Sequence, residues 1–272
     1  GALGTIGNNL QRIRELAVQS RNATNSTEDR SALQKEVTQL KSEIDRVAST
    51  TSFNGTKLLD GSFTSKAFQV GANAGETIGI DSVVDANVNK LGTSYQVSTA
   101  ALTAPTTAAT ASVAAAFAAV ASGLTIAVNG EAAITLPPLD AIAVKPASGS
   151  ASDLAKADKA AVQQRLQDVA SAISEATSGR VTATVENDGK LTIRSLESFA
   201  LTGGTATTTA FVAQSGGLHD GLANVDISTV QGADDAIIRM DGALKAVNSA
   251  RADLGAIQNR FESVVSNLSV NS

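Results

Sequence analysis

The sequence predicts an α+β protein. A long antiparallel helical bundle, carrying a β-hairpin, is built from both ends of the chain, and a smaller α+β domain is inserted in the middle. Three observations predict this architecture. The last forty or so residues carry a heptad repeat, the first fifty or so carry two apolar stripes at helical spacing, and the middle is rich in turn signals and short alternating segments.

The heptad pattern predicts one long helix over residues 233–268. Apolar residues recur every seven positions, and a second apolar series fills the position three residues after each of the first four. The first series is Met240, Val247, Leu254, Phe261 and Leu268, and the second is Ala243, Ala250, Ile257 and Val264. A helix of this length, about 50 Å, cannot bury its own stripe and needs partner helices. Asp234 and Asp235 are expected at its start, where the helix dipole favours negative charge.

The partners are predicted at the other end of the chain, where two stripes with 3–4 spacing indicate two amphipathic helices. The first stripe is Leu3, Ile6, Leu10, Ile13 and Ala17, and the second is Leu33, Val37, Leu40, Ile44 and Val47. Residues 21–29 between them favour a turn, and Ser26 or Thr27 followed by Glu28 and Asp29 places acid in a helical first turn. The two termini therefore supply three helices of one bundle.

Turn and strand signals follow the second helix, which is expected to end near residue 51. Asn54-Gly55 and Asp60-Gly61 are dipeptides that tolerate the positive φ of tight turns. Residues 66–70 and 77–80 are predicted to form two strands of a hairpin.

A shift in composition near residue 96 indicates the inserted domain. All four prolines lie between there and residue 148, and residues 99–122 form a tract rich in Ala, Thr and Ser. The predicted elements are a hairpin of residues 124–128 and 132–136 around Asn129-Gly130, a helix over 157–177, a hairpin of 181–185 and 190–194, and a strand or exposed loop over 201–210. We therefore divide the chain into a discontinuous helical rod domain, 1–94 and 218–272, and a variable outer α+β domain, 95–217.

Composition narrows the classes of function. The 272 residues include no Cys and no Trp, so disulfides and thiolate metal sites are excluded. A net charge of −5 gives no basic footprint for nucleic acid. The most apolar run, 111–121, is too short to cross a bilayer, so membrane insertion is not expected. No signal peptide is visible, so an external protein of this sequence would be exported by a route that does not use one.

Catalysis has little support in the sequence. His219 is the only histidine, and neither a second His nor a Cys is present to complete a metal or nucleophilic site with it. Glu15 and Glu36 have basic neighbours at helical spacing and are interpreted as solvated ion pairs. We therefore expect no enzyme activity, no catalytic or metal-binding residues and no cofactor.

Three long segments carry a family resemblance. LQRIRELAVQSRNATNS (10–26), TSFNGTKLLDGSF (51–63) and RADLGAIQNRFESVVSNL (251–268) resemble bacterial flagellin, in its first rod-like domain, D1, over 1–94 and 218–272. The central TIAVNGEAAITL and VTATVENDGKLTIRS resemble the shorter repeat of the variable, D2-like part of flagellins and hook-associated proteins. The resemblance implies a secreted structural subunit of the flagellar filament, serving motility, whose partners are other flagellin subunits. Flagellins extend beyond both ends with heptad-bearing D0 helices, so it also implies a core fragment that is monomeric by itself.

The resemblance also implies a recognition site. In flagellins of enteric and related bacteria, the stretch around the first helix binds the vertebrate Toll-like receptor that senses flagellin. The matching key residues are Arg12, Leu16 and Glu36, with Gln11, Glu15 and Gln19 on the same face. The pattern alone favours a solvated helix face with one edge leucine. With the resemblance, we expect Leu16 to be an exposed apolar anchor flanked by charged groups. Some enteric relatives carry a basic residue where this chain has Leu40.

Two alternatives remain open at this point. One is a cell-surface adhesin or carbohydrate-binding homologue that has reused flagellin architecture. Its binding face would be the central domain, where basic side chains would meet an acidic glycan, although scattered charges of this kind also serve solubility alone. These side chains are Lys145, Lys156, Lys159, Arg165 and Arg180. The other alternative is a hook–filament junction protein.

Overall fold

The computed structural model describes residues 1–69, 77–80, 82–103, 114–117, 119–120, 123–144, 151–203, 214–219 and 221–271. Its helices are α1 Ala2–Arg21, α2 Thr27–Thr50, α3 Ala151–Ala176 and α4 Val230–Asn271. Its strands, in chain order, are β1 Ser52–Phe53, β2 Thr56–Lys57, β3 Lys66–Gln69, β4 Thr77–Ile80, β5 Ser94–Ser98, β6 Ala114–Phe117, β7 Thr125–Val128, β8 Ile134–Thr135, β9 Ile142–Val144, β10 Val181–Val185, β11 Leu191–Ser195, β12 Phe199–Thr202, β13 Gln214–Ser215 and β14 Gly217–His219. The predicted α+β class is confirmed, and the chain forms two compact units: residues 1–93 with 220–272 (unit 1), and residues 94–219 (unit 2).

Unit 1 is a helical bundle in which α1 packs against both α2 and α4. The ion pairs Arg14–Asp241 and Arg21–Asp234 show that α1 and α4 run antiparallel. The predicted stripe of α1 is buried throughout, and so is the first half of the α4 seam. The buried seam residues are Leu3, Ile6, Leu10, Ile13 and Ala17 on α1, and Met240, Ala243, Val247 and Ala250 on α4.

The second half of the α4 seam is only partly buried. By the register of the two ion pairs, Gly1 lies opposite Leu254, so α4 continues beyond the first residue of α1. Leu254, Ile257, Phe261 and Val264 are all half-buried there. The ring of Phe261 meets the ring of Phe68 on β3 edge-on, with centroids 6.0 Å apart.

The start of α2 is set by local side-chain chemistry. Ser26 caps α2: its hydroxyl accepts a hydrogen bond from Asp29 N–H, and the Asp29 carboxylate accepts one from Ser26 N–H. The acidic first turn predicted for this helix is therefore confirmed. The prediction for Asp234 and Asp235 is wrong, because α4 begins at Val230 and its first turn has no acidic residue. Asp234 instead pairs with Arg21, and Asp235 pairs with Arg239.

The turns predicted at Asn-Gly dipeptides are confirmed. Asn54 and Gly55 have φ angles of 47° and 78° and join β1 to β2. Strands β3 and β4 pair antiparallel as the predicted second hairpin.

Unit 2 packs α3 against strands of antiparallel sheets. One sheet has the order β10-β11-β5-β14, and another has the order β13-β12-β7-β8. Helix α3 packs against β10, β9 and β6, and buries Leu166, Val169 and Ile173. In the first sheet, Ser94 of β5 is paired with His219 of β14, so the chain enters and leaves unit 2 at neighbouring positions.

The central elements match their predictions with shifted ends. Helix α3 begins six residues before the predicted residue 157. The hairpin predicted around Asn129-Gly130 forms, but β8 contains only Ile134 and Thr135. The strand or loop expected at 201–210 is part of β12 as far as Thr202, and residues 204–210 lie outside the described residues.

Candidate functional site

The candidate recognition face lies on the outer side of α1. Gln11, Arg12, Glu15 and Gln19 are all exposed, because their positions fall between the buried stripes of the helix. Glu36 on α2 is half-buried and lies beside them. The structure therefore brings five of the six residues expected at this site onto one surface.

Arg12 is the centre of this face. Its Nε donates a 2.7 Å hydrogen bond to Glu36 Oε1 on α2, and its Nη1 donates a 3.3 Å hydrogen bond to Glu15 Oε2. The pKa of the Arg12 guanidinium is raised above its ordinary value, first by the hydrogen bond to Glu36 and then by that to Glu15. The side chains of Arg12, Glu15 and Glu36 remain 48%, 68% and 41% exposed, so these ion pairs are solvated. The predicted pairing at helical spacing is confirmed for Glu15, whereas Glu36 pairs with Arg12 of the neighbouring helix.

The expectation that Leu16 is an exposed anchor is wrong. Leu16 is 0% exposed and belongs to the same core as Leu10 and Ile13. Because α1 packs against two helices, the buried arc of α1 is wider than the single stripe seen in the sequence. Leu16 therefore packs beneath the candidate recognition face and does not form part of its surface.

The apolar residue that α1 does expose is Val18, at 50%. The sequence pattern contained a signal for it, since Val18 also lies off the predicted stripe. Val18 and Leu16 lie on opposite sides of α1, because two residues turn an α-helix by about 200°.

A second set of polar contacts holds the segment that leads into α4. Gln34 Oε1 accepts a hydrogen bond from Ile227 N–H at 2.8 Å, and Ser20 Oγ donates to Ile227 O at 2.5 Å. Lys41 Nζ donates to Ala223 O at 2.6 Å, and burial lowers the pKa of this ammonium. These bonds satisfy main-chain groups of a segment without regular structure, which is a structural role.

An apolar groove of about 910 Å³ opens in unit 1 between the start of α1, the β1–β4 region and α4. Its apolar walls include Leu58, Phe63 and Leu254, and Phe53 at its margin is 68% exposed. The charged side chains that line it, among the described residues, are Lys66 and Arg251.

The described residues contain no cluster of three or more His, Cys, Asp or Glu side chains that could bind a metal ion. His219 contributes its backbone to β14, and its side chain is outside the described residues. Within the same described ranges, no helix has the length and apolarity that crossing a membrane requires.

The basic residues that the carbohydrate-binding alternative places in the central domain have different surroundings. Arg165 is buried, with its guanidinium 5.4 Å from the centre of the Phe117 ring and Nη2 donating to Asp140 O at 2.7 Å. Arg180 is engaged by the carboxylates of Glu131 and Glu197. Lys156 and Lys159 are exposed on α3, and Lys145 lies outside the described residues.

Comparison with known proteins gives concordant results at both ends of the chain. Residues 1–64 match the bacterial flagellin N-terminal helical region, and residues 237–272 match the bacterial flagellin C-terminal helical region. These segments contain α1, α2 and most of α4, the three helices of the unit 1 bundle.

Individual flagellins also match, over nearly the whole of this chain. The chain is 34% identical over 274 residues to Flagellin B of Vibrio anguillarum, covering 98% of this chain and 64% of that protein. It is 34% identical over 357 residues to the B-type flagellin of Pseudomonas aeruginosa, covering 98% and 72%. Among solved structures, FliC from Burkholderia pseudomallei matches with a TM-score of 0.51 and 26% identity over 96% of each chain. The chain thus spans about two thirds of the length of the Vibrio and Pseudomonas flagellins.

Proposed function

The chain belongs to the bacterial flagellin family, and on that premise we propose that its parent protein is a structural subunit of the flagellar filament, secreted to the cell exterior and serving motility. The observation that carries the proposal is the unit 1 bundle, in which the two family-matched segments fold onto each other through α1 and α4. Flagellins are structural proteins, so the chain is not assigned an enzymatic role. The partners in the filament are further copies of the parent protein.

We assign the rod domain, 1–94 and 218–272, to the D1 layer of such a filament and the inserted domain, 95–217, to its variable outer layer. An asymmetric rod packs against its neighbours through different surfaces on each copy, and such heterologous contacts build helical filaments instead of closed rings. The outer faces of α1 and α2 carry the polar side chains that such contacts need, including Arg12, Glu15 and Glu43.

Immunogold electron microscopy of cells that express the parent protein tests this function. Antibodies raised against unit 2 should label the filament along its whole length, and filaments sheared from the cells should contain this sequence by mass spectrometry. Label restricted to the base of the filament would instead assign the parent to the hook–filament junction. Label on the cell body with unlabelled filaments would assign it to the adhesins.

We propose in addition that the face around Arg12 is recognised by the vertebrate Toll-like receptor that senses flagellin. Support comes from the family resemblance and from the exposed network of Arg12, Glu15 and Glu36, with Gln11 and Gln19 beside it. A guanidinium already held by two carboxylates presents its remaining donors in a fixed direction, and charge-assisted hydrogen bonds from such a group are strong. Leu16 takes part only by supporting this face.

Binding of the 272-residue chain to the receptor ectodomain tests the second proposal. Arg12→Ala and Glu36→Ala should each weaken binding by about thirtyfold or more, the effect of losing about 2 kcal/mol at a hot spot. The matched control is Arg46→Ala, which breaks the exposed pair Arg46–Glu43 on α2 and should leave affinity unchanged. Wild-type affinity in both face variants would contradict the proposed site.

We also propose that the 272-residue chain is monomeric in dilute solution, since α1 and α4 of one chain cover each other as far as Ala250. Light scattering should give the mass of one chain. Spontaneous fibres would overturn this proposal.

A further inference from the structure

Two turns of the chain carry the dipeptide Asn-Gly in different surroundings. Asn54-Gly55 joins β1 to β2, and Asn129-Gly130 follows β7. Both asparagines are exposed, and their φ angles are 47° and 52°. The two turns are therefore matched in sequence and local conformation, and they differ in how firmly the surrounding fold holds them.

An Asn-Gly dipeptide carries an intrinsic reaction. Gly has no side chain to shield its amide nitrogen, so this nitrogen, once hydroxide has removed its proton, can attack the side-chain Cγ of the asparagine. A bond forms between Gly N and Asn Cγ, the Cγ–Nδ2 bond breaks, and ammonia leaves with a proton supplied by water. Water then opens the resulting succinimide at either carbonyl, which gives aspartate or isoaspartate.

Ring closure requires rotation about the Cα–C bond of the asparagine. A closed turn holds this bond fixed, so the reaction in a folded protein depends on local opening. The rate is set by the free energy needed to open the turn.

The turn at Asn54 is held weakly. Strands β1 and β2 pair only with each other within the described residues, and all four of their residues are exposed. The pairs are Ser52 with Lys57 and Phe53 with Thr56, followed at the base by a 3.1 Å bond from Leu58 N–H to Thr51 O. An isolated two-stranded hairpin is marginally stable in water, so opening this turn costs little.

The turn at Asn129 is held from several sides. Asn129 N–H donates a 2.7 Å hydrogen bond to Ser198 O, and Glu131 N–H donates a 2.9 Å bond to Val128 O. The Glu131 carboxylate accepts hydrogen bonds from Arg180 at 2.9 and 3.1 Å. Strand β7 lies inside a four-stranded sheet between β12 and β8. Reorienting Asn129 therefore disrupts a sheet and its cross-links.

We propose that Asn54 is a site of spontaneous deamidation and isoaspartate formation in the folded chain, and that Asn129 is protected by its sheet. Isoaspartate adds one carbon to the main chain, so Phe53 and Thr56 no longer pair across a two-residue turn. The modification thus opens the hairpin whose residue Phe53 lines the groove of unit 1. The fraction of chains modified at Asn54 therefore increases with the age of the protein.

The test follows both turns in one sample. The 272-residue chain is kept folded in mildly alkaline buffer, digested at intervals, and the peptides containing Asn54 and Asn129 are analysed by mass spectrometry and by enzymatic methylation of isoaspartate. The same chain in guanidinium chloride gives the unprotected rate for each site. We expect Asn54 to react in the folded chain at nearly its unfolded rate and Asn129 to be slowed at least about tenfold, equivalent to about 1.4 kcal/mol.

Equal rates at the two sites in the folded chain would overturn the proposal, and so would tenfold protection of Asn54. The matched variant is Asn54→Ser, which keeps a short polar side chain and removes the leaving amide. After the same incubation, hydrogen exchange at the amides of Phe53 and Thr56 should be faster than before incubation in the wild-type chain. In the variant, the exchange rates of these amides should be the same before and after incubation. Equal exchange in the two aged samples would show that the modification does not open the hairpin.

Discussion

At the scale of residues, Leu16 and Val18 have opposite environments on one turn of α1. Leu16 is 0% exposed and Val18 is 50% exposed. The difference arises because α1 contacts both α2 and α4, so that its buried arc extends to Leu16 while Val18 remains in water.

Leu16→Ala should therefore lower the free energy of unfolding of unit 1 by about 2–5 kcal/mol, from lost burial and the cavity left behind. Val18→Ala is the matched control on the same helix and should change it by no more than about 0.5 kcal/mol. Chemical denaturation followed by circular dichroism measures both. Equal effects of the two substitutions would mean that α1 does not pack as described.

The candidate face shows what a pattern of residues can predict. The exposed pairing of Glu15 with Arg12 followed from helical spacing, because charges three or four apart on a helix meet without help from the rest of the fold. The partner of Glu36 did not follow in this way, because Arg12 reaches it from the neighbouring helix. The burial of Leu16 could not be predicted in the same way. It depends on the angle between two partner helices, one of which is more than 200 residues away in the chain.

At the scale of elements, the start of α2 depends on a reciprocal pair of hydrogen bonds between Ser26 and Asp29. Sequence reasoning identified the acidic first turn and missed the reciprocal cap, because the usual signature has Glu or Gln at the third helical position where this chain has Asp. The shorter carboxylate still reaches Ser26 N–H, at 3.0 Å.

Ser26→Ala should destabilise unit 1 by about 1 kcal/mol at neutral pH, the usual effect of removing a helix cap. The bonds from the Ser26 hydroxyl and main chain hold the pKa of Asp29 below its ordinary value of 3.8. A lowered pKa means that the carboxylate adds stability above pH 3.8, and this contribution is lost as the pH falls through the folded-state pKa.

Thermal melts of the wild-type chain and of Ser26→Ala, at neutral pH and below pH 3.8, measure this linkage. The gap in melting temperature between them should narrow in acid. A gap of the same size at both pH values would show that the Asp29 carboxylate does not contribute to the cap.

At the scale of the whole molecule, the elements were more predictable than their arrangement. The seams of α1 and α4 and the turns at Asn54 and Asn129 are local signals, because each depends on residues that are only a few positions apart along the chain. The sheet order is set by pairings such as β11 with β5 and β12 with β7, which join segments that are far apart in the sequence. Each of these strands is too short for its own pattern to select a partner.

The pairing of Ser94 with His219 leads to a prediction about the two units. Opposed residues of an antiparallel pair have Cα atoms within about 6 Å of each other, so a short Gly/Ser linker can replace residues 94–219 without stretching unit 1. Each unit also has a hydrophobic core of its own, around Ile6 and Met240 in unit 1 and around Leu166 and Ile193 in unit 2.

We therefore expect two independently folded proteins. The chain with residues 94–219 replaced by the linker should keep the helical circular dichroism of α1, α2 and α4 and melt in one cooperative transition. Residues 94–219 expressed alone should give dispersed amide resonances in a proton–nitrogen NMR spectrum. If the replaced chain lost its helical signal while isolated unit 2 remained folded, unit 1 would depend on the insertion for stability. That dependence would contradict a filament subunit whose outer domain varies while its rod is retained.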